Sequence, residues 1–277
     1  MKIVVAEDVG FCFGVKKAVE HVKKLLLKGE KVYTDGDIVH NMLVMQELEK
    51  LGLKKINNIP EDSKDSIFVV RAHGLPPDKI DQYKKHFKKI EDLTCPIVKT
   101  LFKKTKNASK KGKVIVFGKK DHPEMKALSG YVPNALITLS PISLKEKMIY
   151  FMAQTTASLD YFKKFVAEEI KISDFVKVEI LNTICDVTLK REKIAKKMAK
   201  ICDVVFVVGG KHSSNTRKLF QIVISSKGNA IWIEKPEDIE TIPEVDCMGV
   251  ISGTSTPLYI VQDVVKKLKV LGGKEDE

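Results

Sequence analysis

At 277 residues, with 44% hydrophobic and 30% charged residues and a net charge of +12, the chain has the composition of a folded globular protein and not of a disordered one. No apolar run is long enough to span a bilayer, and the start M-K-I-V-V-A-E-D reads as a strand entering the fold, with neither the apolar stretch of a secretory signal nor the character of a transit segment. Five cysteines, an odd number at wide spacing, argue against a disulfide framework, so a cytoplasmic protein with reduced thiols is expected.

Read in chain order, Lys2–Ala6 is a strand, Gly10–Gly14 a tight turn and Val15–Leu27 an amphipathic helix. Lys31–Thr34 is a strand leading to the loop Asp35–Asn41, Met42–Leu51 a helix, and Ile67–Arg71 a strand running into A-H-G-L-P-P before a helix from Pro77. The second pass has a strand at Lys89–Asp92, a turn at Cys95, a helix from Pro96 to about Ser109 and a strand at Val114–Phe117. The loop Gly118–Glu124, a helix, a strand at Met148–Ala153, the loop Gln154–Thr156 and a helix through Ile170 follow. The third pass has a strand at Val176–Leu181, a turn at Cys185, a helix over Val187–Ile201 and a strand at Val204–Val208. A loop at Gly209–Asn215, a helix from Thr216, strands at Ala230–Glu234 and Met248–Ser252, and a last helix opened by Gly253–Pro257 complete it, with a frayed tail at Gly272–Glu277.

The three passes share one layout. Each delivers a cysteine (Cys12, Cys95, Cys185), a polar cluster 27 or 28 residues later (His40, His122, and H-S-S-N from His212), and a second polar tip after a further strand. Those tips are R-A-H-G with His73, Q-T-T at Gln154–Thr156, and G-T-S-T around Ser255. Alternating strands and helices predict an α/β fold with mostly parallel sheets, built as three small domains related by a pseudo-threefold axis. The boundaries fall at 14–95, 96–185 and 186–277. By analogy with Lys89–Asp92 and Val176–Leu181, the N-terminal strand within 1–13 completes the third sheet. Ligands of such sheets bind at the C-terminal ends of the strands, where the polar motifs lie.

Taken singly, a cysteine in such a protein is usually a small buried hydrophobe, and Cys202 and Cys247, outside the repeat, are assigned to that role. The other three precede helices, whose N-terminal N–H groups favour thiolate. Thiolates are soft ligands for iron–sulfur clusters, Cu(I) or zinc. No C-x-x-C is present, and spacings of 83 and 90 residues require the whole chain to fold before a site forms. Three cysteines fit a cubane cluster with one iron left open.

The remaining motifs carry double readings. His40, His73 and His122 follow strands, whereas His21 and His86 sit on lysine-rich helices and are left as structural or exposed residues. Ser213, Ser214 and Asn215 open a helix, as an N-cap or as an anion site. Thr155-Thr156 and Thr254-Ser255-Thr256 admit the same pair of readings. Glu124 is either a first-turn glutamate or a proton donor. The positive charge is almost all lysine, Arg71, Arg191 and Arg217 being the only arginines. It forms solvated faces or a field for anionic substrates and acidic redox partners. No nucleic-acid recognition motif is present, and neither nucleic acid nor a membrane is expected as partner.

Together G-F-C-F-G-V, V-H-N, R-A-H-G, T-C-P, D-H-P-E, A-Q-T-T, N-T-I-C, S-S-N and S-G-T-S-T-P, in this order over essentially the whole chain, resemble the iron–sulfur 4-hydroxy-3-methylbut-2-enyl diphosphate reductases of non-mevalonate isoprene biosynthesis. The resemblance implies a trefoil of α/β domains around a central 4Fe–4S cluster, with a 3Fe–4S remnant expected after oxidative iron loss. It implies reductive dehydroxylation of an allylic diphosphate substrate to isopentenyl and dimethylallyl diphosphates. Matched position by position, Cys12, Cys95 and Cys185 are the cluster ligands, and Thr155 and Glu124 are the pair near the substrate hydroxyl, with Glu124 as the proton source. His40, His73, His122, Thr155, Ser213, Ser214, Asn215 and Ser255 hold the substrate. The implied electron donor is ferredoxin or flavodoxin, and a stand-alone enzyme of bacterial type is expected. His212 stands where asparagine is expected in many relatives. Two rival readings remain: a three-cysteine cluster dehydratase or quinolinate-synthase-like enzyme, and a non-enzymatic iron–sulfur or zinc sensor.

Overall fold

The computed structural model describes residues 1–272 and 274–275. The chain opens with β1 (Lys2–Val5), and the first repeat then contains α1 (Phe13–Leu27), β2 (Val32–Thr34), α2 (Met42–Lys50), β3 (Lys54–Lys55), β4 (Ile67–Val70), α3 (Pro77–His86) and β5 (Lys89–Asp92). The second contains α4 (Pro96–Ala108), β6 (Lys113–Phe117), α5 (Pro123–Tyr131), β7 (Leu136–Thr138), β8 (Lys145–Ala153), α6 (Leu159–Ile172) and β9 (Asp174–Ile180). The third contains α7 (Asp186–Ile201), β10 (Val204–Val208), α8 (Ser214–Ser225), β11 (Asn229–Ile233), β12 (Cys247–Ser252), α9 (Leu258–Val270) and β13 (Lys274–Glu275).

These strands form three parallel sheets in the orders β3-β2-β4-β5, β7-β6-β8-β9 and β11-β10-β12-β1-β13. Apart from β13, the three orders are one pattern repeated, so three similar α/β repeats are present. In the first two sheets the last strand precedes the next cysteine turn. In the third that place is taken by β1, which pairs with β12 from Lys2↔Cys247 to Val5↔Val250. The pattern explains why an isolated N-terminal strand is stable: it fills a slot that the repeat leaves open.

The central strands are continuous β-branched and aromatic runs, buried along their whole length (Ile67–Val70 and Val204–Val208), as parallel strands covered on both faces must be. Alternate residues of β10 feed opposite cores. Val204, Phe206 and Val208 pack with Val261 and Val264 of α9, while Val205 and Val207 pack with Ala195 of α7 and Leu219 of α8. The edge strand β3 is Lys54-Lys55, both exposed, a composition that discourages edge-to-edge association. Proline opens α3, α4 and α5, where its missing N–H costs nothing.

The chain packs as two compact units. One comprises residues 1–16, 39–47 and the chain from 186 onward, with the five-stranded sheet. The other comprises 17–38 and 48–185, with both four-stranded sheets.

Most element ends fall within a few residues of those expected. Strand β8 starts at Lys145, not Met148, because β9 continues to pair with it across polar residues, Lys145↔Asp174 and Glu146↔Phe175. Strands β3 and β7 were not anticipated, being two and three residues long and too short for any periodicity to show. The expected frayed tail is corrected in part: residues 274–275 pair in parallel with Lys2 and Ile3. Residues 273, 276 and 277 lie outside the described residues. Among the described residues no helix is long and apolar enough to cross a membrane.

Candidate active site

In the two-sheet unit, the sequence after β5 turns sharply because Asp92 Oδ1 accepts from both the N–H and the hydroxyl of Thr94, at 2.9 and 2.5 Å. Cys95 follows, its N–H donating to Ala72 O at 3.0 Å, so the cysteine turn is tied to the R-A-H-G loop of the neighbouring strand. The N–H groups of Ile97 and Val98, in the first turn of α4, donate to the Cys95 sulfur. They favour thiolate, but burial outweighs them, and charge on Cys185 and Glu124 adds to it, so the Cys95 thiol is pushed up. The expected thiolate at this position is therefore corrected for the metal-free protein: desolvation of the sulfur exceeds the stabilisation from the helix N-terminus. A coordinated metal would reverse this by displacing the proton.

Cys185 is held in the same unit by its N–H, which donates to Thr155 O at 2.9 Å. Thr155 is also the partner of Glu124. Its N–H donates to Oε1 at 2.8 Å and its hydroxyl to Oε2 at 2.5 Å. Glu124 is 1% exposed, and burial pushes its pKa up to about 7 against the opposing pull of the two Thr155 hydrogen bonds. The carboxyl can thus carry and release a proton near neutrality. His122 caps the same helix, α5, its Nδ1 accepting from the Glu124 N–H at 3.2 Å, which leaves the proton of a neutral ring on Nε2. The His73 ring meets the His122 ring edge-on, with centroids 5.4 Å apart. Thr155 thereby joins Cys185 and the Glu124 carboxyl, and the start of α5 joins that carboxyl's residue to His122.

In the other unit, Cys12 sits where β1 ends. Gly10 takes φ +86, a conformation that needs glycine, and its N–H donates to Ser252 Oγ at 2.9 Å. The N–H of Cys12 donates to Thr254 O at 3.1 Å. The Cys12 turn is therefore built on the loop after β12 that carries Ser255. Ser213 caps α8, accepting from the Thr216 N–H at 3.3 Å. Ser214 is half-buried and His212 exposed. The loops after β10 and β12 close on Thr216: a Cβ on Gly253 would stand 2.0 Å from its Oγ1, so only glycine permits the approach. His40 belongs to this unit although it comes from the first repeat, and its carbonyl abuts Gly210 so closely that a Cβ there would lie at 2.5 Å.

Buried side chains ordinarily have hydrogen-bond partners. Asn215 is 2% exposed and Ser255 5%, yet both amide atoms of Asn215 and the Ser255 hydroxyl have none among the described residues. Such groups are poised for an external acceptor or donor. Asn215→Leu, similar in volume, is expected to stabilise the free protein by about 1–2 kcal/mol and to raise KM for an anionic substrate tenfold or more. Urea unfolding and steady-state kinetics on the same preparation check both halves.

Sequence reasoning missed Arg191. It is 2% exposed and donates to Ser252 O (3.0 Å), Gly10 O (2.8 Å) and Asp8 Oδ1 (3.0 Å). One guanidinium thus fixes the turns after β1 and β12 from the helix that follows Cys185. The only available signal was rarity: it is an arginine where almost every other cation is lysine. Arg191→Met is expected to cost about 3–5 kcal/mol, the usual result of stranding buried partners of a charge, read as a lowered urea midpoint.

The profile of the LytB protein family matches residues 3–269. This chain belongs to the LytB family. The 4-hydroxy-3-methylbut-2-enyl diphosphate reductase of Thermotoga neapolitana is 50% identical over 275 residues, covering 99% of this chain and 97% of that one. That of a Thermoanaerobacter strain is 36% identical and covers both chains fully. Among solved structures, an (E)-4-hydroxy-3-methylbut-2-enyl diphosphate reductase described as the terminal enzyme of the non-mevalonate pathway is 32% identical over 97% of this chain, with a TM-score of 0.71. The reductase of Plasmodium falciparum is 26% identical over 99% of this chain, with a TM-score of 0.86. The chain is thus an enzyme of the LytB oxidoreductase family.

Proposed function

We propose that the chain catalyses reductive removal of the allylic hydroxyl of (E)-4-hydroxy-3-methylbut-2-enyl diphosphate, giving isopentenyl and dimethylallyl diphosphates and water. The observation that carries this is the buried Glu124–Thr155 pair, a carboxyl that burial pushes up to about 7 and whose partner Thr155 also holds the Cys185 turn. Removal of a hydroxyl as water needs a proton at that oxygen, and a protonated, desolvated carboxyl with a hydroxyl neighbour supplies one.

The donor set suits an iron–sulfur group: two soft sulfurs near enough for charge on Cys185 to raise Cys95, with Cys95 receiving helix N–H groups, and no C-x-x-C pair in the sequence. In this reading Cys12, Cys95 and Cys185 hold a 4Fe–4S cluster in a trefoil of three domains, bounded at 14–95, 96–185 and 186–277 with strand 1–13 added to the third. When bound, such a cluster supplies two electrons singly and one Lewis-acidic position without a thiolate. His40, His73, His122, Ser213, Ser214, Asn215 and Ser255 bind the diphosphate, and imidazole N–H groups, hydroxyls and the amide replace its water shell. Thr155 holds the substrate hydroxyl side and keeps Glu124 oriented. Fixing both ends of the substrate contributes by proximity. The protein is cytoplasmic in this account, and its +12 charge suits an acidic donor such as ferredoxin or flavodoxin.

The test is an anaerobic assay of the iron-loaded protein with a reduced viologen dye and the allylic diphosphate. Two equivalents of dye oxidised per diphosphate consumed is the expected result. Conversion without reductant would favour the dehydratase reading, and no turnover with any reduced donor the sensor reading.

A further inference from the structure

The two cysteines outside the repeat, Cys202 and Cys247, lie 45 residues apart in sequence, yet their sulfurs stand 3.0 Å apart, about 1 Å beyond a disulfide bond length. Cys202 follows the last turn of α7, its N–H donating to Met198 O at 3.0 Å. Cys247 is the first residue of β12. Asp203 holds the two segments together: its N–H donates to Cys247 O at 3.0 Å, and its Oδ2 accepts from the N–H groups of Cys247 and Asp246 at 2.9 and 3.1 Å. Gly249 leaves room for the buried sulfur, since a Cβ there would lie 3.2 Å from Cys202 Sγ. Both thiols are therefore held beside each other, and closing the bond needs a shift of about 1 Å. The pair lies at the N-terminal ends of β10 and β12, a strand length, about 16 Å, from the loops that carry Ser213 and Ser255.

We propose that Cys202 and Cys247 are a redox-active pair that closes to a disulfide when exposed to a low-molecular-weight disulfide, at a site separate from the three cysteines assigned to the cluster. The half-buried Cys247 sulfur, as thiolate, attacks the external S–S bond and releases one small thiolate. The Cys202 thiol gives its proton to solvent, and its sulfur attacks Cys247 Sγ and releases the second. The protein loses two electrons and two protons, and the external disulfide is reduced to two thiols. The direction of attack follows access: Cys202 is buried, and burial with the Cys247 sulfur beside it pushes its thiol up to about 12. The bond joins helix α7 to strand β12 and closes a long loop, so it constrains the unfolded chain.

The experiment treats the anaerobically purified, iron-loaded full chain with glutathione disulfide and maps peptides without reduction. The expected product is a linked pair of peptides containing Cys202 and Cys247, lighter by two hydrogens than their sum. Iron content should be unchanged, and the unfolding temperature should rise by about 5–10 °C, reversed by dithiothreitol. Cys247→Ser should show neither link nor shift. The proposal is overturned if both cysteines remain fully alkylatable, if Cys247 stops at a stable glutathione adduct, or if the temperature shift persists in Cys247→Ser.

Discussion

Glu124→Gln is expected to keep its iron and lose turnover by about a hundredfold or more, the usual share of a positioned general acid. The substitution keeps the shape and the contacts with Thr155 but removes the titrating proton. Because burial raises Glu124 to about 7, wild-type kcat should fall as pH rises above about 7, whereas the residual rate of the variant should not follow that limb. Stability provides an independent check. A carboxyl whose folded pKa is raised contributes stability that is complete below its unfolded value, near 4.5, and lost as pH rises through about 7. Wild type at pH 8 therefore carries an ionised buried carboxylate that Glu124→Gln lacks. The variant should be the more stable by about 3 kcal/mol at pH 8, with the difference vanishing towards pH 5. Near-normal turnover would remove the proton-donor role, and pH-independent stability of both proteins would remove the raised pKa.

Cys95→Ser should lose nearly all bound iron and sulfide, and with them all measurable turnover. A serine oxygen is a hard ligand in place of a soft one. The fold should survive, because the turn depends on backbone and Asp92–Thr94 hydrogen bonds and not on the sulfur. Unfolding of the metal-free variant should lie within about 1 kcal/mol of metal-free wild type. Iron analysis and urea unfolding on the same sample distinguish a missing ligand from a misfolded chain. A variant with full iron and sulfide would move the ligand assignment elsewhere.

The repeat was legible because the same short motif recurs in each pass, and it assigned the N-terminal strand to the third sheet, where Lys2–Val5 pairs with β12. The polar tips were legible because they follow apolar strands, and strand ends of parallel sheets carry ligand sites. Partnering was not. Periodicity tells which face of a segment is buried but not against what, so the packing of residues 39–47 with the third repeat could not be read from the sequence. Nor could the Cys202–Cys247 contact across 45 residues, whereas the pairing of Thr155 with Glu124 across 31 was implied by the family resemblance alone. The balance at Cys95 was not legible either, since the helix terminus is visible in sequence but the burial that outweighs it is not.

The account rests on one cluster held by the sulfurs of Cys12, Cys95 and Cys185 with one iron lacking a thiolate. Mössbauer spectroscopy of anaerobically purified, iron-57-labelled protein tests this most directly, together with iron and sulfide analysis. The expected result is about four irons and four sulfides per chain, with one iron in four spectroscopically distinct and altered when the allylic diphosphate is added. A single metal per chain without sulfide, or four irons that all ignore the substrate, would contradict it.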